Sequence, residues 1–379
     1  AYSMEQIDSQ IIEKPQENMP TKKTRKTLGI VVGIILAIAL IAVAAVLYVK
    51  LYKIPHDEAI RQYNEAAAKY NDAVDQFNAA AGALEERNKA LDDSINELGR
   101  IVYAENLPID DFLLAEADSV LNEARNITKD TAPTLSEMPQ NTDEINAETN
   151  SILELISTVD AMGDYSDTID LLTATADKYQ KMIDEFQGCK AEVIWTSVKE
   201  EYNLLRFVVK ISNDNEYVMR DVVTEWIAYD KNDAIVGSYE AAQADIPANG
   251  YIYYVGGAGS ANLSGTPVRA EVKVITDGIL TNREMPQITV SNIQIINRGW
   301  GGFDVTADCV TGSDIMTANL NGQIIIKDAE GLIIDADFWR ADNLPNMIPA
   351  NGKFVLSKYL FDLPAVPEEA EAYVSYVWQ

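Results

Sequence analysis

His56 is the one histidine among 379 residues, and it lies just beyond a long apolar run. Ser-His-Asp and Cys-His arrangements therefore lack a base, and a histidine-ligated zinc site lacks ligands. Cys189 and Cys309 are the two cysteines, too few for a disulfide framework. Two buried free thiols are expected, with one interdomain bridge as the alternative. Gly256-Gly257-Ala258-Gly259-Ser260 is glycine-rich, but no Gly-Lys-Ser/Thr follows and no helix opens after it. It reads as a flexible hairpin loop and not as a phosphate cradle. Asp230, Asn232 and Asp233 begin an acidic loop, yet the glycine and distal glutamate of a calcium-binding loop are out of place. Paired carboxylates can hydrolyse glycosides, but in a chain with 59 Asp and Glu against 30 Lys and Arg any two carboxylates are an uninformative pair. No catalytic, cofactor-binding or metal-ligating residue is assigned, no cofactor is expected, and the chain reads as a non-enzyme.

Binding chemistry is better supplied. Trp195, Trp226, Trp300, Trp339 and Trp378 offer stacking surfaces, although most tryptophans at strand positions belong to a core. Trp300 differs, because Arg298-Gly299-Trp300-Gly301-Gly302 places it between glycines in a loop. It is the candidate exposed binding residue.

The elements that carry these residues start with LGIVVGIILAIALIAVAAVLYV, residues 28–49, which has no charged side chain. As a helix it is long enough to cross the ~30 Å hydrocarbon core of a bilayer. Lys22, Lys23, Arg25 and Lys26 precede it and only Lys50 and Lys53 follow, so the positive-inside bias predicts a cytoplasmic N-terminus and an exterior C-terminal region. Ala42-Val43-Ala44 fits a signal-peptidase site, but the run is longer than a secretory core and a polar segment precedes it, which favours a retained signal anchor. Gly29, Gly33 and Ala37 repeat every four residues and form a candidate face for helix packing in the membrane.

Residues 1–53 hold seven Lys or Arg against four acids, a net of +3, so the overall −29 leaves −32 on the remainder. Such a surface repels phosphate backbones, and nucleic acid is excluded as a partner. The low cysteine count suits a bacterial envelope. The sequons Asn126-Ile127-Thr128 and Asn262-Leu263-Ser264 establish nothing about source.

Beyond the span, apolar residues recur at alternating spacings of three and four: Ile60, Tyr63, Ala67, Tyr70, Val74, Phe77, Ala81, Leu84, polar Asn88, then Leu91, Ile95, Leu98 and Val102. This seam predicts a coiled coil reaching roughly 70 Å at ~1.5 Å per residue, with Asn88 as a register-fixing polar residue. Further helices are expected over 108–127, from 142 to a break at Gly163-Asp164, and along Ile169, Leu172, Ala176, Tyr179, Ile183 and Phe186. A Pro-containing linker between them favours an antiparallel bundle within one chain over a parallel homodimer. The aromatic stripe Tyr63, Tyr70, Phe77 and Tyr179 is assigned to core packing.

From Ala191 the period becomes two, and short Val-, Ile-, Tyr- and Trp-rich runs alternate with turn residues. One set of strands spans 204–275 and a second spans 288–378, each sized for a small antiparallel sandwich. Ile246-Pro247-Ala248-Asn249-Gly250 recurs as Ile348-Pro349-Ala350-Asn351-Gly352. The hairpin at Trp226-Ile227-Ala228-Tyr229-Asp230 recurs at Ile324-Ile325-Ile326-Lys327-Asp328. These repeats predict a tandem duplication.

At these residues the chain resembles the FxLYD type of extracytoplasmic β-sandwich found in bacterial envelope proteins. The resemblance rests on 226–230, the turn that follows and the Ile-Pro-Ala-Asn-Gly segment of each copy, and covers about half the chain. The second copy departs from it, with Ile326-Lys327-Asp328 where the first has Ala228-Tyr229-Asp230. It implies binding or spacer modules, with no catalytic residues to carry over.

The expected architecture is α+β multidomain, with a single transmembrane helix, an α-helical coiled-coil/bundle stalk and two tandem antiparallel β-sandwich domains. The boundaries are 1–27 cytoplasmic tail, 28–53 transmembrane signal anchor, 54–188 stalk, 189–285 first sandwich and 286–379 second sandwich. The expected partners are the lipid bilayer through residues 28–53 and a protein or a second copy of the chain. A cell-wall glycan is the alternative, as is a role as accessory or sensor subunit of a membrane complex.

Overall fold

The computed structural model describes residues 23–199, 202–243, 245–259, 261–339 and 344–376, with side chains from Gly33 onward. Residues 1–22 of the tail, Ser260 and Trp378 lie outside the described residues. The chain is α+β: a long apolar helix, a helical region, then antiparallel sheets.

Helix α1 (Lys23–Tyr48) is long and apolar enough to cross a membrane, and its side chains from Gly33 onward are exposed. It runs through a π-helical turn (Val49–Lys53) into α2 (Ile54–Val102) without a break. In that turn the Ile54 N–H donates to the Val49 carbonyl, five residues back. Pro55 supplies the reason, since a proline inside a helix has no N–H to give and its ring presses on the carbonyl four residues earlier, here Leu51. A wider turn relieves that pressure. Three more helices follow, α3 (Asp111–Arg125), α4 (Thr142–Ala161) and α5 (Ser166–Asp184).

The chain forms two compact units. In the first, which ends at Glu86 and resumes over Asp130–Gly163, the early half of α2 packs against α4. Ala66, Tyr70, Ala73, Phe77, Ala80 and Leu84 meet Ile145, Ile152 and Val159 in one core. The expected seam is corrected at three positions, because Ala66, Ala73 and Ala80 are buried while Ala67, Val74 and Ala81 are half-buried. An alanine stands beside each of the assigned residues, so hydropathy alone could not choose between neighbours. Ile60 and Tyr63, 47% and 37% exposed, precede the start of this core, and Tyr63 leaves the stripe assigned to core packing.

In the second unit Leu91, Ile95, Leu98 and Val102 pack with Leu113, Ala117 and Leu121 of α3 and Leu172, Ala176 and Tyr179 of α5. Asn88 accepts a hydrogen bond from the Tyr165 hydroxyl at 3.0 Å, which satisfies the one polar seam residue. Helix α3 starts at Asp111 and not at Pro108. Residues 108–110 are extended there, because the Leu280 N–H donates to the Pro108 carbonyl and the Asp110 N–H donates to the Leu280 carbonyl. The Asp110 carboxylate then caps the helix by accepting from the Leu113 N–H at 3.0 Å.

The first β half holds β1 (Lys190–Lys199), β2 (Leu204–Asn213), β3 (Val218–Arg220), β4 (Val223–Tyr229), β5 (Ile235–Ala242), β6 (Gly250–Ala258), β7 (Arg269–Thr276) and β8 (Ile279–Thr281). Sheets β1-β2-β6 and β5-β4-β7 bury Leu205, Phe207, Val209, Trp226 and Ala228 between them, in a core continuous with that of α3 and α5. The second half holds β9 (Ile288–Gly299), β10 (Gly302–Thr311), β11 (Ile315–Met316), β12 (Leu320–Lys327), β13 (Ile333–Trp339), β14 (Met347–Ile348), β15 (Lys353–Phe361) and β16 (Glu369–Tyr376). Sheets β9-β10-β15 and β13-β12-β16 enclose Val305, Ala307, Cys309, Ile324, Ile326 and Trp339.

A fourth, smaller core joins the β halves. Val208 and Val255, on the outer face of β1-β2-β6, are buried against Ile325 and Ala336 on the outer face of β13-β12-β16. The Gln323 side-chain carbonyl accepts from the buried Val255 N–H at 3.0 Å, and Arg206 reaches Asp335 at 3.0 Å and Asp337 at 3.7 Å.

The two halves also make the same local hydrogen bonds. At the first hairpin the Asp230 carboxylate accepts from the N–H groups of Asn232 and Ala234, and the Asp230 N–H returns to the Ala234 carbonyl. At the second the Asp328 carboxylate accepts from Glu330 and Leu332, and the Asp328 N–H returns to the Leu332 carbonyl. In the repeated Ile-Pro-Ala-Asn-Gly segments the Pro247 carbonyl accepts from the Asn213 side chain and the Pro349 carbonyl from the Thr311 hydroxyl. Asn249 and Asn351 both take positive φ, 46° and 61°, a conformation that asparagine tolerates better than most residues.

Candidate functional site

In α1, Gly29, Gly33 and Ala37 share one helix face by their spacing, and a Cβ built at Gly33 would meet nothing within 4 Å. Among the described residues nothing covers this face at Gly33 or Ala37. Where the apolar run ends, the rings of Tyr48 and Tyr52 stack at 5.4 Å and those of Tyr52 and His56 at 5.8 Å. Aromatic rings beside Lys50 and Lys53 match the composition found where a helix leaves a bilayer. His56 lies in this exposed ladder.

The residues with reactive chemistry are dispersed. Cys189 belongs to the core of the first half and Cys309 to that of the second, both buried and unbridged. Burial, with Asp277 and Asp214 nearby, pushes the Cys189 thiol up to about 12, and burial beside Asp308 pushes Cys309 up to about 11. Both remain thiols at neutral pH and are poor nucleophiles. The glycine-rich segment is corrected: Gly256 and Gly257 lie within β6, not in a loop. A Cβ on Gly256 would run into the Phe207 ring, and one on Gly257 would come within 2.7 Å of the Leu205 carbonyl. Close approach explains these glycines. Among the described residues no group of three or more His, Cys, Asp or Glu is placed to hold a metal.

Trp300 is at the tip of the β9–β10 hairpin and is 99% exposed. Gly299, Trp300 and Gly301 take φ values of 80°, 55° and 78° in succession. A bulky residue with positive φ is an outlier, and here it holds the indole away from its own sheet. Trp226 and Trp339 are buried in the two cores and Trp195 is half-buried at the joint between the halves.

Two aromatic residues that sequence reasoning missed lie at the same end of the sheet. Gly302 pairs with Phe361 on β15, and Tyr359 occupies the space above Gly302 that a side chain would fill. Tyr359 and Phe361 are 58% and 61% exposed. Along β15 both the inward Phe354, Leu356 and Leu360 and the outward Val355, Tyr359 and Phe361 are apolar, so alternation did not reveal which row faces solvent. Beside them Arg298 and Asp304 form an ion pair at 2.6 Å.

No family model matches the sequence, and no curated protein matches it. Among solved structures, red sea bream transglutaminase is similar over 57% of this chain and 34% of its own, at 10% identity and a TM-score of 0.16. The exo-chitosanase CsxA of Amycolatopsis orientalis is similar over 49% of this chain and 25% of its own, at 10% identity and a TM-score of 0.17. The chain thus spans about a third and a quarter of the two proteins. Likeness this slight carries no argument about fold or chemistry.

Proposed function

We propose that this chain is a non-enzymatic, single-pass membrane protein of a bacterial cell envelope. Its N-terminus is cytoplasmic, its helices form a coiled-coil or bundle stalk, and two tandem FxLYD-like β-sandwich modules outside the membrane serve structural assembly or protein binding. The observation that carries the reading is the matched pair of Asp-centred hairpins and Ile-Pro-Ala-Asn-Gly turns. A module used twice on an anchored helix is an economical way to enlarge a contact surface. Trp300, held out by a strained backbone, is the contact residue on this reading, since exposed tryptophans are frequent hot spots of interfaces.

The test is affinity capture from native membranes after mild crosslinking, comparing the native chain with Trp300→Ala. The native chain should yield a defined partner or multiples of itself, and Trp300→Ala should yield less at unchanged expression. Equal recovery from a chain cut at residue 190 would place function in the stalk or span. Turnover of any substrate that depends on a single carboxylate would replace the reading with an enzyme.

A further inference from the structure

Equivalent faces of the two β halves have different surroundings. In the first half the outward register of β2 against β6 is Arg206 with Gly257, Val208 with Val255 and Lys210 with Tyr253. The second half repeats that register on β10 and β15 as Asp304 with Tyr359, Thr306 with Ser357 and Asp308 with Val355. The first face is covered, because Val208 and Val255 are buried against Ile325 and Ala336. On the second face Tyr359 and Phe361 stand exposed. They occupy the positions of Gly257 and Gly259, so the uncovered copy carries aromatic rings where the covered copy carries glycine. Exposed rings oppose solubility, and an exposed cluster of them marks a site of interaction.

The neighbouring strands supply the complementary chemistry. Where the covered copy has Arg206, Val208 and Lys210, the free one has Asp304, Thr306 and Asp308. On β9 a bulge puts Asn292 at φ 50°. Its side-chain amide donates to Asp308 at 2.9 Å and its carbonyl accepts from Gln294 at 3.0 Å. The face therefore has rings along one strand and carboxylate, hydroxyl and amide groups along the next two, with Asp308, Asn292 and Gln294 linked to one another and Asp304 paired with Arg298.

We propose that this face binds an uncharged polysaccharide chain, with sugar rings stacked on Tyr359 and Phe361 and hydroxyls donating to Asp304 and Asp308. A sugar presents an apolar face of C–H groups on one side and hydroxyl donors around its rim, which matches this division. Protein interfaces are depleted of aspartate at their centres, so the half-buried carboxylates beside the rings, Asp304 held by Arg298 and Asp308 by Asn292, favour the glycan over a protein. Arg298 neutralises Asp304, but the net charge of −29 and the unneutralised Asp308 disfavour sulfated or carboxylated chains.

The inference deepens the reading of the β region as a contact module, and rests on it. The full chain in lipid nanodiscs is titrated with cellohexaose, maltohexaose and chitohexaose by calorimetry. At least one should bind, and Tyr359→Ala should weaken it about tenfold, the loss of one stacked ring. Tyr359→Phe should restore binding, while Tyr239→Ala, an exposed ring on the edge strand β5 of the first half, should leave it unchanged. Melting temperatures equal to the native chain's show that the variants fold. Absence of binding by all three sugars, or binding indifferent to Tyr359→Ala with Phe361→Ala, overturns the proposal. So does loss of a captured protein partner in that double variant without any sugar binding. Failure here with intact Trp300-dependent capture sinks the glycan assignment and leaves the contact-module reading standing.

Discussion

Cys189 and Cys309 lie in separate cores, and burial sets their chemistry before any reagent arrives. With thiols raised to about 12 and about 11, native protein at pH 8 should resist iodoacetamide at both sites, and protein in denaturant should label at both. Mass spectrometry of the two peptides reads the result. The sign for stability follows from the raised values: the contribution is complete below the ordinary thiol pKa near 9 and is lost as pH climbs toward 11 to 12, because only the unfolded thiols ionise in that window. Rapid native labelling of either cysteine would mean that its core opens locally. At this scale the sequence was partly legible. Glycines on both sides of Trp300 announced an exposed loop, whereas Tyr359 and Phe361 were hidden in a strand with large apolar residues on both faces.

The helical seam shows what spacing can and cannot settle. Alternating steps of three and four located α2 and its buried side, but Ala66, Ala73 and Ala80 are buried where their C-terminal neighbours were expected. Alanine is small and weakly apolar, so which of two adjacent positions faces inward depends on the partner helix. Leu84 is fully enclosed and Tyr63 is not. Leu84→Ala should lower stability by about 2–5 kcal/mol through lost burial and a residual cavity, and Tyr63→Ala should change it by less than about 0.5 kcal/mol. Helical circular dichroism of the full chain in micelles, followed through a melt, measures both. Equal effects would mean that the core extends to Tyr63. The start of α3 was not legible because Pro108 is equally at home in a helical first turn and in the extended segment that pairs with Leu280.

For the molecule as a whole, the joint between the β halves is the main feature that alternation did not announce. Two signals were present: Phe207-Val208-Val209 in β2 and Ile324-Ile325-Ile326 in β12 are apolar without a break, as strands buried on both faces must be. Because Gln323 satisfies the Val255 N–H inside this joint, Gln323→Leu should leave a buried donor unpaired and cost about 1–3 kcal/mol. Hydrogen exchange should then quicken in both halves, and quickening confined to the second would mean that they unfold separately. The π-helical turn at Val49–Lys53 has a geometric consequence for the chain that enters α2. In an uninterrupted α-helix, Ala37 and Ala66 would point within about 20° of each other. A turn closed by five-residue hydrogen bonds lags behind by about a quarter revolution, so the small-residue face of α1 and the buried face of α2 are set out of phase. Whatever meets Gly29, Gly33 and Ala37 thus approaches along a different azimuth from α4, and two neighbours can line the same rod without competing for one side of it.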